Sequence, residues 1–135
     1  MAIEATSEAV LEFVEKWIEL LSNGQYREAY DQLSQPPHDT WSPELLEDVT
    51  SSYELSPSAG DLSETSRVTS VTGARVVDYR PDKDVDWYEG NPDSNAGMVH
   101  YSIPINGIWS DLTATFRIQR INDGVVLQLE DMHVM

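Results

Sequence analysis

The chain contains no cysteine, only two lysines (Lys16 and Lys83), and no apolar run long enough to cross a bilayer as a helix. The first absence excludes disulfides, thiolate metal sites and cysteine nucleophiles. The lack of a run of about 20 apolar residues excludes a transmembrane helix. The opening "MAIEATSEAV" is acidic, with no basic stretch leading into an apolar one, so it does not read as a secretory signal. A cytoplasmic location is the resulting default. Positive charge is scarce throughout: 8 Lys and Arg face 24 Asp and Glu, for a net charge of −16. A field of that sign repels phosphate backbones and anionic lipid, so neither nucleic acid nor membrane is an expected partner. No Gly-rich phosphate loop and no serine-nucleophile elbow occurs.

What is present reads as one globular domain, 1–135, with 40% hydrophobic residues. Three readings of the acidity compete. It serves solubility, including adaptation to high salt; or it steers a basic protein partner; or it mimics nucleic acid toward a nuclease.

The N-terminal third is patterned for helices. Val10, Phe13, Val14, Trp17, Ile18 and Leu21 recur at the spacing of one helix face. Thr6 or Ser7 suits the N-cap, and Asn23-Gly24 suits the stop. Glu4, Glu8, Glu12 and Glu19 lie on the outer side, with Glu12 and Lys16 forming an i,i+4 pair. A second helix in "GQYREAYDQLS" aligns Tyr26, Ala29, Tyr30 and Leu33, and Pro36-Pro37 blocks its continuation. His38 lies in the following loop. A third helix opens at Ser42-Pro43 and aligns Leu45, Leu46, Val49 and Tyr53. Residues 56–66 form a polar connector.

From residue 67 the pattern turns to strands. "RVTSVTGARVVDYR" is rich in β-formers and is expected to be the first strand. The acidic stretch "PDKDVDWYEGNPDSNAG" is expected to be a loop, followed by strands near 98–105, 108–121 and 125–134. Asn106-Gly107 and Asp123-Gly124 are hairpin turns by composition. A two-residue turn at Asn106-Gly107 pairs Ile105 with Ile108, Tyr101 with Leu112 and Val99 with Ala114. Val99, Tyr101, Ile103, Ala114, Phe116 and Ile118 then share the apolar face. The same count at Asp123-Gly124 pairs Asn122 with Val125 and sets Arg117 opposite Glu130. It also sets Phe116 opposite Asp131 and Ala114 opposite His133, so Asp131 and His133 are expected on the apolar, helix-covered face.

A helical start with the step "NGQYREAY", a third short helix and a long antiparallel sheet resembles the NTF2-like, or cystatin-like, α+β superfamily. The resemblance implies three N-terminal helices packed on the concave face of a curved antiparallel sheet of four to five strands, around a conical pocket. The chain departs from the usual order in that all three helices precede the long strands. The block "GIWSDLTATFRI" with "LQLEDMHV" also looks like uncharacterised bacterial domains, some of immunity type. Members of the superfamily that act as isomerases or dehydratases use pocket Asp, His and Tyr as acids and bases. By that resemblance Asp131 and His133 are the catalytic candidates, and Tyr26, Tyr30, Tyr53, Tyr101 and Phe116 the ligand-pocket candidates. The plain alternative is a polar cluster at the end of the sheet, satisfied by neighbouring donors.

Two further patterns carry weight. Asp82, Asp84 and Asp86 have the opening spacing of an EF-hand loop, but Trp87 stands at the turn glycine and Asp93 at the bidentate glutamate. The EF-hand match fails, a weak non-EF calcium site is the minor alternative, and the expectation is no metal and no cofactor. Trp87, Tyr88 and Trp109, set among acids, suit a basic protein partner; equally, either tryptophan folds back onto the edge of the core. The expectation is thus a homodimer-forming, non-enzymatic protein that binds a basic protein, of toxin-immunity type, or a small ligand. The alternative is a cofactor-free lyase or isomerase using Asp131 and His133.

Overall fold

In a computed structural model, which describes residues 3–33, 42–51, 68–77, 80–88, 95–122 and 124–134, the apolar spacing after Val10 becomes helix α1 (Ser7–Ser22). Thr6 is its cap, accepting the Ala9 amide at 3.2 Å. Gly24 ends it with φ +75°, and the amides of Gly24 and Gln25 bond Leu21 and Leu20 at 3.0 and 2.8 Å. That pairing satisfies the last carbonyls as a Schellman motif. Val10, Val14, Trp17, Ile18 and Leu21 are all at most 1% exposed. Helix α2 (Tyr26–Gln32) buries Ala29, and α3 (Pro43–Ser51) is capped by Ser42, whose Oγ accepts the Leu45 amide at 3.1 Å. His38, Tyr53 and the 56–66 connector lie outside the described residues.

Four strands form one antiparallel meander: β1 (Lys83–Trp87), β2 (Asn95–Ile105), β3 (Ile108–Ile121) and β4 (Gly124–Val134), in the order β1-β2-β3-β4. The fold is α+β, with three helices and a curved four-stranded sheet among the described residues. The core lies between the helices and one sheet face, where Val99, Tyr101, Ile103, Ala114, Phe116, Ile118 and Leu127 are fully buried. Trp17 meets Phe116 edge-on, with centroids 5.1 Å apart at 86°. Such a pair contributes about 0.5–1.5 kcal/mol beyond its buried area. Among the described residues, no helix is long and apolar enough to cross a membrane.

Two strand expectations are corrected. The segment from Val68 to Arg75 is not the first strand. It touches the sheet through isolated bridges, Val68 to Ile105 and Arg75 to Ile108, either side of a turn at Gly73 (φ +80°). It clasps the β2–β3 turn instead, with Thr69 Oγ1 accepting the Gly107 amide at 2.8 Å. The first strand is β1, inside the stretch expected to be an acidic loop. There Val85 and Trp87 pack toward the core while Asp84 and Asp86 are exposed. Gly97 admits this strand: a Cβ at Gly97 would lie 2.0 Å from the Asp86 carbonyl oxygen.

From the turns as far as Leu129 the expected registers keep their faces, although most of their pairs shift. Asn106 and Gly107 both have positive φ, and Ile105 pairs with Ile108, as the type I′ turn requires. A register shift between Ser102 and Pro104 then sets Tyr101 opposite Ala114 and Val99 opposite Phe116. At the last hairpin Ile121, not Asn122, begins the pairing, opposite Gly124. Gly124 (φ +146°) lies against the Ile3 carbonyl, and Ile3 and Val125 exchange backbone bonds of 2.7 and 2.8 Å. Both displacements are by two residues, and the side-chain period of two preserves which face is buried.

Candidate functional site

A bulge overturns the expected placement of Asp131. Phe116 pairs with Leu129, but Thr115 pairs with Asp131, so Glu130 is the extra residue. Beyond it the phase of β4 reverses: Met132 enters the core at 7% exposure and Asp131 is exposed. The backbone of His133 pairs with Thr113, not with Ala114. Asp131 therefore shares the outer face with Thr115, away from Phe116 and from the helices. Arg117 still meets Glu130, Nε to Oε1 at 2.7 Å, although its cross-strand neighbour is Gln128. The contact is an ion pair by charge and distance and not a directed hydrogen bond.

The outer face acquires its own order from these registers. Asp84 pairs with His100, His100 with Thr115 and Thr115 with Asp131, so the four lie in one row across the sheet. The next row is Asp86, Met98, Arg117 and Gln128. On the other side Ser102 pairs with Thr113, and the Ser102 hydroxyl accepts the Asp82 amide at 2.7 Å. Small hydroxyl residues thus floor the centre, with Ser102, Thr113 and Thr115 at 3, 1 and 6% exposure. Exposed acids stand on the outer strands, Asp84 and Asp86 on β1 and Glu130 and Asp131 on β4. The buried Thr115 Oγ1 has no hydrogen-bond partner among the described residues. Leaving such a group unpaired costs about 1–3 kcal/mol. Asp82, Asp84 and Asp86 lie at or in an extended strand and do not curl around an ion. Among the described residues no group of three His, Asp or Glu could hold a metal.

The aromatic candidates separate. Tyr101 and Phe116 are fully buried, Tyr26 and Tyr30 are partly buried beside the core, and Tyr53 lies outside the described residues. The Tyr101 hydroxyl donates to Glu15 Oε2 at 2.8 Å and ties α1 to β2. Burial first, then the Glu15 carboxylate, raises its pKa far above the ordinary tyrosine value. Trp109 is 5% exposed, with the Lys83 ammonium 4.9 Å from its ring centroid. Trp87 packs on the core and donates from Nε1 to Ser7 Oγ at 2.8 Å. Both tryptophans therefore fold back onto the core edge, and Tyr88, at 41% exposure, is the ring of the three that faces solvent.

A cleft that sequence reasoning did not find lies along α1. Ile3, Ala9, Phe13 and Trp17 form its apolar wall, with Glu12, Lys16 and Gln32 beside them, and its volume is about 260 Å³. Trp17 is 1% exposed and its indole N–H has no partner among the described residues. Phe13 and Trp17 stood in the apolar stripe of α1, but nothing in that stripe marks where packing leaves room. The outer-face row was hidden for the opposite reason, because it depends on cross-strand registers and on one bulge. A scan against protein-family models and searches of curated proteins and of solved structures return no match for this chain.

Proposed function

We propose that this chain is a non-enzymatic binding domain of NTF2-like architecture that takes a basic protein partner, of the kind an immunity protein neutralises, on the outer face of its sheet. The observation that carries the reading is the outer face itself. Exposed Asp84, Asp86, Glu130 and Asp131 stand on its two outer strands, and Arg117, the cation among them, is already paired with Glu130. With a net charge of −16 behind it, such a face attracts a cationic surface over roughly a Debye length, about 8–10 Å at ordinary salt. The buried Thr115 hydroxyl beneath its centre has no hydrogen-bond partner among the described residues. Helices packed against one face of a curved antiparallel meander support the NTF2-like assignment, while their position ahead of all the strands departs from the usual order. An acid–base reaction in the cone would need Asp131 on the core face; Asp131 is exposed on the other, and Phe116 is fully packed. The α1 cleft favours a second reading, a small apolar ligand held against Ile3, Ala9, Phe13 and Trp17.

The test is titration with oligolysine and oligoarginine peptides, with oligoglutamate as control. Binding of the cationic peptides should weaken at least tenfold between about 0.05 and 0.5 M salt. The Asp84→Asn/Asp86→Asn/Asp131→Asn variant should bind at least tenfold more weakly at low salt, with its fold unchanged by circular dichroism. Binding indifferent to salt, or to these three substitutions, sinks the proposal.

A further inference from the structure

Among the described residues strand β1 is an edge of the sheet, and its hydrogen-bonding side is legible residue by residue. Asp82 O accepts from Ser102 N at 2.8 Å and Tyr88 N donates to Ala96 O at 2.9 Å. In an antiparallel ladder the bonded residues alternate, so Asp84 and Asp86 also turn their amides and carbonyls toward β2. Lys83, Val85 and Trp87 turn theirs outward, where no backbone partner meets them among the described residues. The opposite edge of the sheet differs, since Ile3 covers β4 at Val125.

An open edge is a template for any extended chain, and proteins blunt it with short strands and charge. Here the charge is of one sign on one face. Asp84 and Asp86 point to the outer face and are exposed, while Val85 and Trp87 lie on the core side. A strand added along β1 would place its residues opposite Asp84 and Asp86 in non-hydrogen-bonded pairs, where side chains approach most closely. A second copy of β1 would bring its own carboxylates there and be repelled. A strand with Lys or Arg at alternate positions would be attracted, and its intervening residues would meet Val85 and Trp87.

We propose that the free edge of β1 captures an extended segment of the basic partner as a fifth strand, with cations of that segment opposite Asp84 and Asp86 and backbone bonds to Lys83, Val85 and Trp87. This rests on the reading of a basic protein partner and specifies how that partner is held.

The probe is a synthetic peptide alternating lysine and valine, measured by titration against the full chain in low salt. Two N-methylated forms separate its two edges. Methylation of the valines removes the donors that would face β1, and binding should fall at least tenfold. Methylation of the lysines removes donors on the far edge, and binding should match the parent peptide within threefold. Asp84→Asn/Asp86→Asn should weaken the parent at least tenfold. Val85→Pro, which deletes an outward amide that the β1–β2 ladder does not use, should also abolish capture. The peptide experiment stands even where that variant fails to fold. Equal binding by both methylated peptides overturns the strand-addition inference while leaving the basic-partner reading intact. Loss of binding by every cationic peptide, oligolysine included, overturns both. A chain that dimerises through β1, with the dimer lost in Val85→Pro, also overturns the inference.

Discussion

Asp131 lies opposite Thr115 on the outer face of the sheet, one residue past the bulge at Glu130, while its neighbour Met132 enters the core. The two residues should therefore respond oppositely to substitution. Asp131→Asn leaves an exposed position polar, and should change stability by less than about 1 kcal/mol. Met132→Ala empties a buried site and should cost about 2–4 kcal/mol. Urea denaturation of both variants reads the difference. A large loss in Asp131→Asn with none in Met132→Ala would mean that the phase of β4 is the reverse of the one described.

The Tyr101–Glu15 hydrogen bond makes a pH prediction whose sign follows from burial. Folded Tyr101 holds its proton beyond the 10.0 of an ordinary tyrosine, so above that pH the unfolded chain releases a proton that the folded chain keeps. The stability due to this group is whole below pH 10.0 and is lost as pH rises above it toward the folded value. Tyr101→Phe should cost about 1–2 kcal/mol near neutrality, since Glu15 loses a donor. It should also flatten the decline of stability above pH 10.0. Tyrosinate absorbance of the parent minus the variant should show a step displaced upward. A difference step at the ordinary tyrosine position would show that the phenol is hydrated.

How much of this was readable beforehand divides along a physical line. Helix caps are local: Thr6, Ser42 and Gly24 act within a few residues of themselves, and the sequence shows them directly. So does the Asn106-Gly107 turn, because only residues tolerant of positive φ make it. Strand β1 carried a signal in "KDVDW", whose alternation of acid and apolar residue is that of a half-buried strand. Its acidic composition outweighed its period. The bulge carried one as well. Leu127 and Leu129 keep one phase and Met132 keeps the other, and the consecutive acids Glu130 and Asp131 mark the change. The site was less legible than the fold because it is assembled across strands. Asp84, His100, Thr115 and Asp131 are far apart in sequence, and one unanticipated bulge decides whether Asp131 joins the row or the core.

Gly97 should be intolerant of any side chain. Its φ is +159°, and a Cβ would strike the Asp86 carbonyl oxygen at 2.0 Å and crowd the Trp87 Cα at 3.2 Å. The obstructing atoms are backbone, so β1 must move away from β2. Gly97→Ala should cost about 2 kcal/mol or more, a large single-site loss by the usual distribution. The damage should be local, with hydrogen exchange accelerating at the bonded amides of Asp84, Asp86 and Tyr88 before those of β3. Unchanged exchange along β1 would show that the close approach at Gly97 is not needed.

The charge balance predicts that salt stabilises the fold. Glu12–Lys16 and Arg117–Glu130 are ion pairs at 3.1 and 2.7 Å, with side chains between 33 and 75% exposed. Solvent-accessible pairs of this kind contribute about 0–1 kcal/mol each, so screening them removes little. Screening the repulsion among the excess carboxylates of a chain with net charge −16 removes a cost spread over the whole surface. The repulsion outweighs the pairs, and Tm should rise by about 5 °C or more between roughly 0.02 and 0.5 M sodium chloride. Most of the rise should fall below about 0.2 M, where the Debye length shrinks fastest across the spacing of surface charges. An equal concentration of uncharged solute should not reproduce that early rise. A Tm that is flat or falling in the low-salt range would mean that the carboxylates are already compensated in the folded chain.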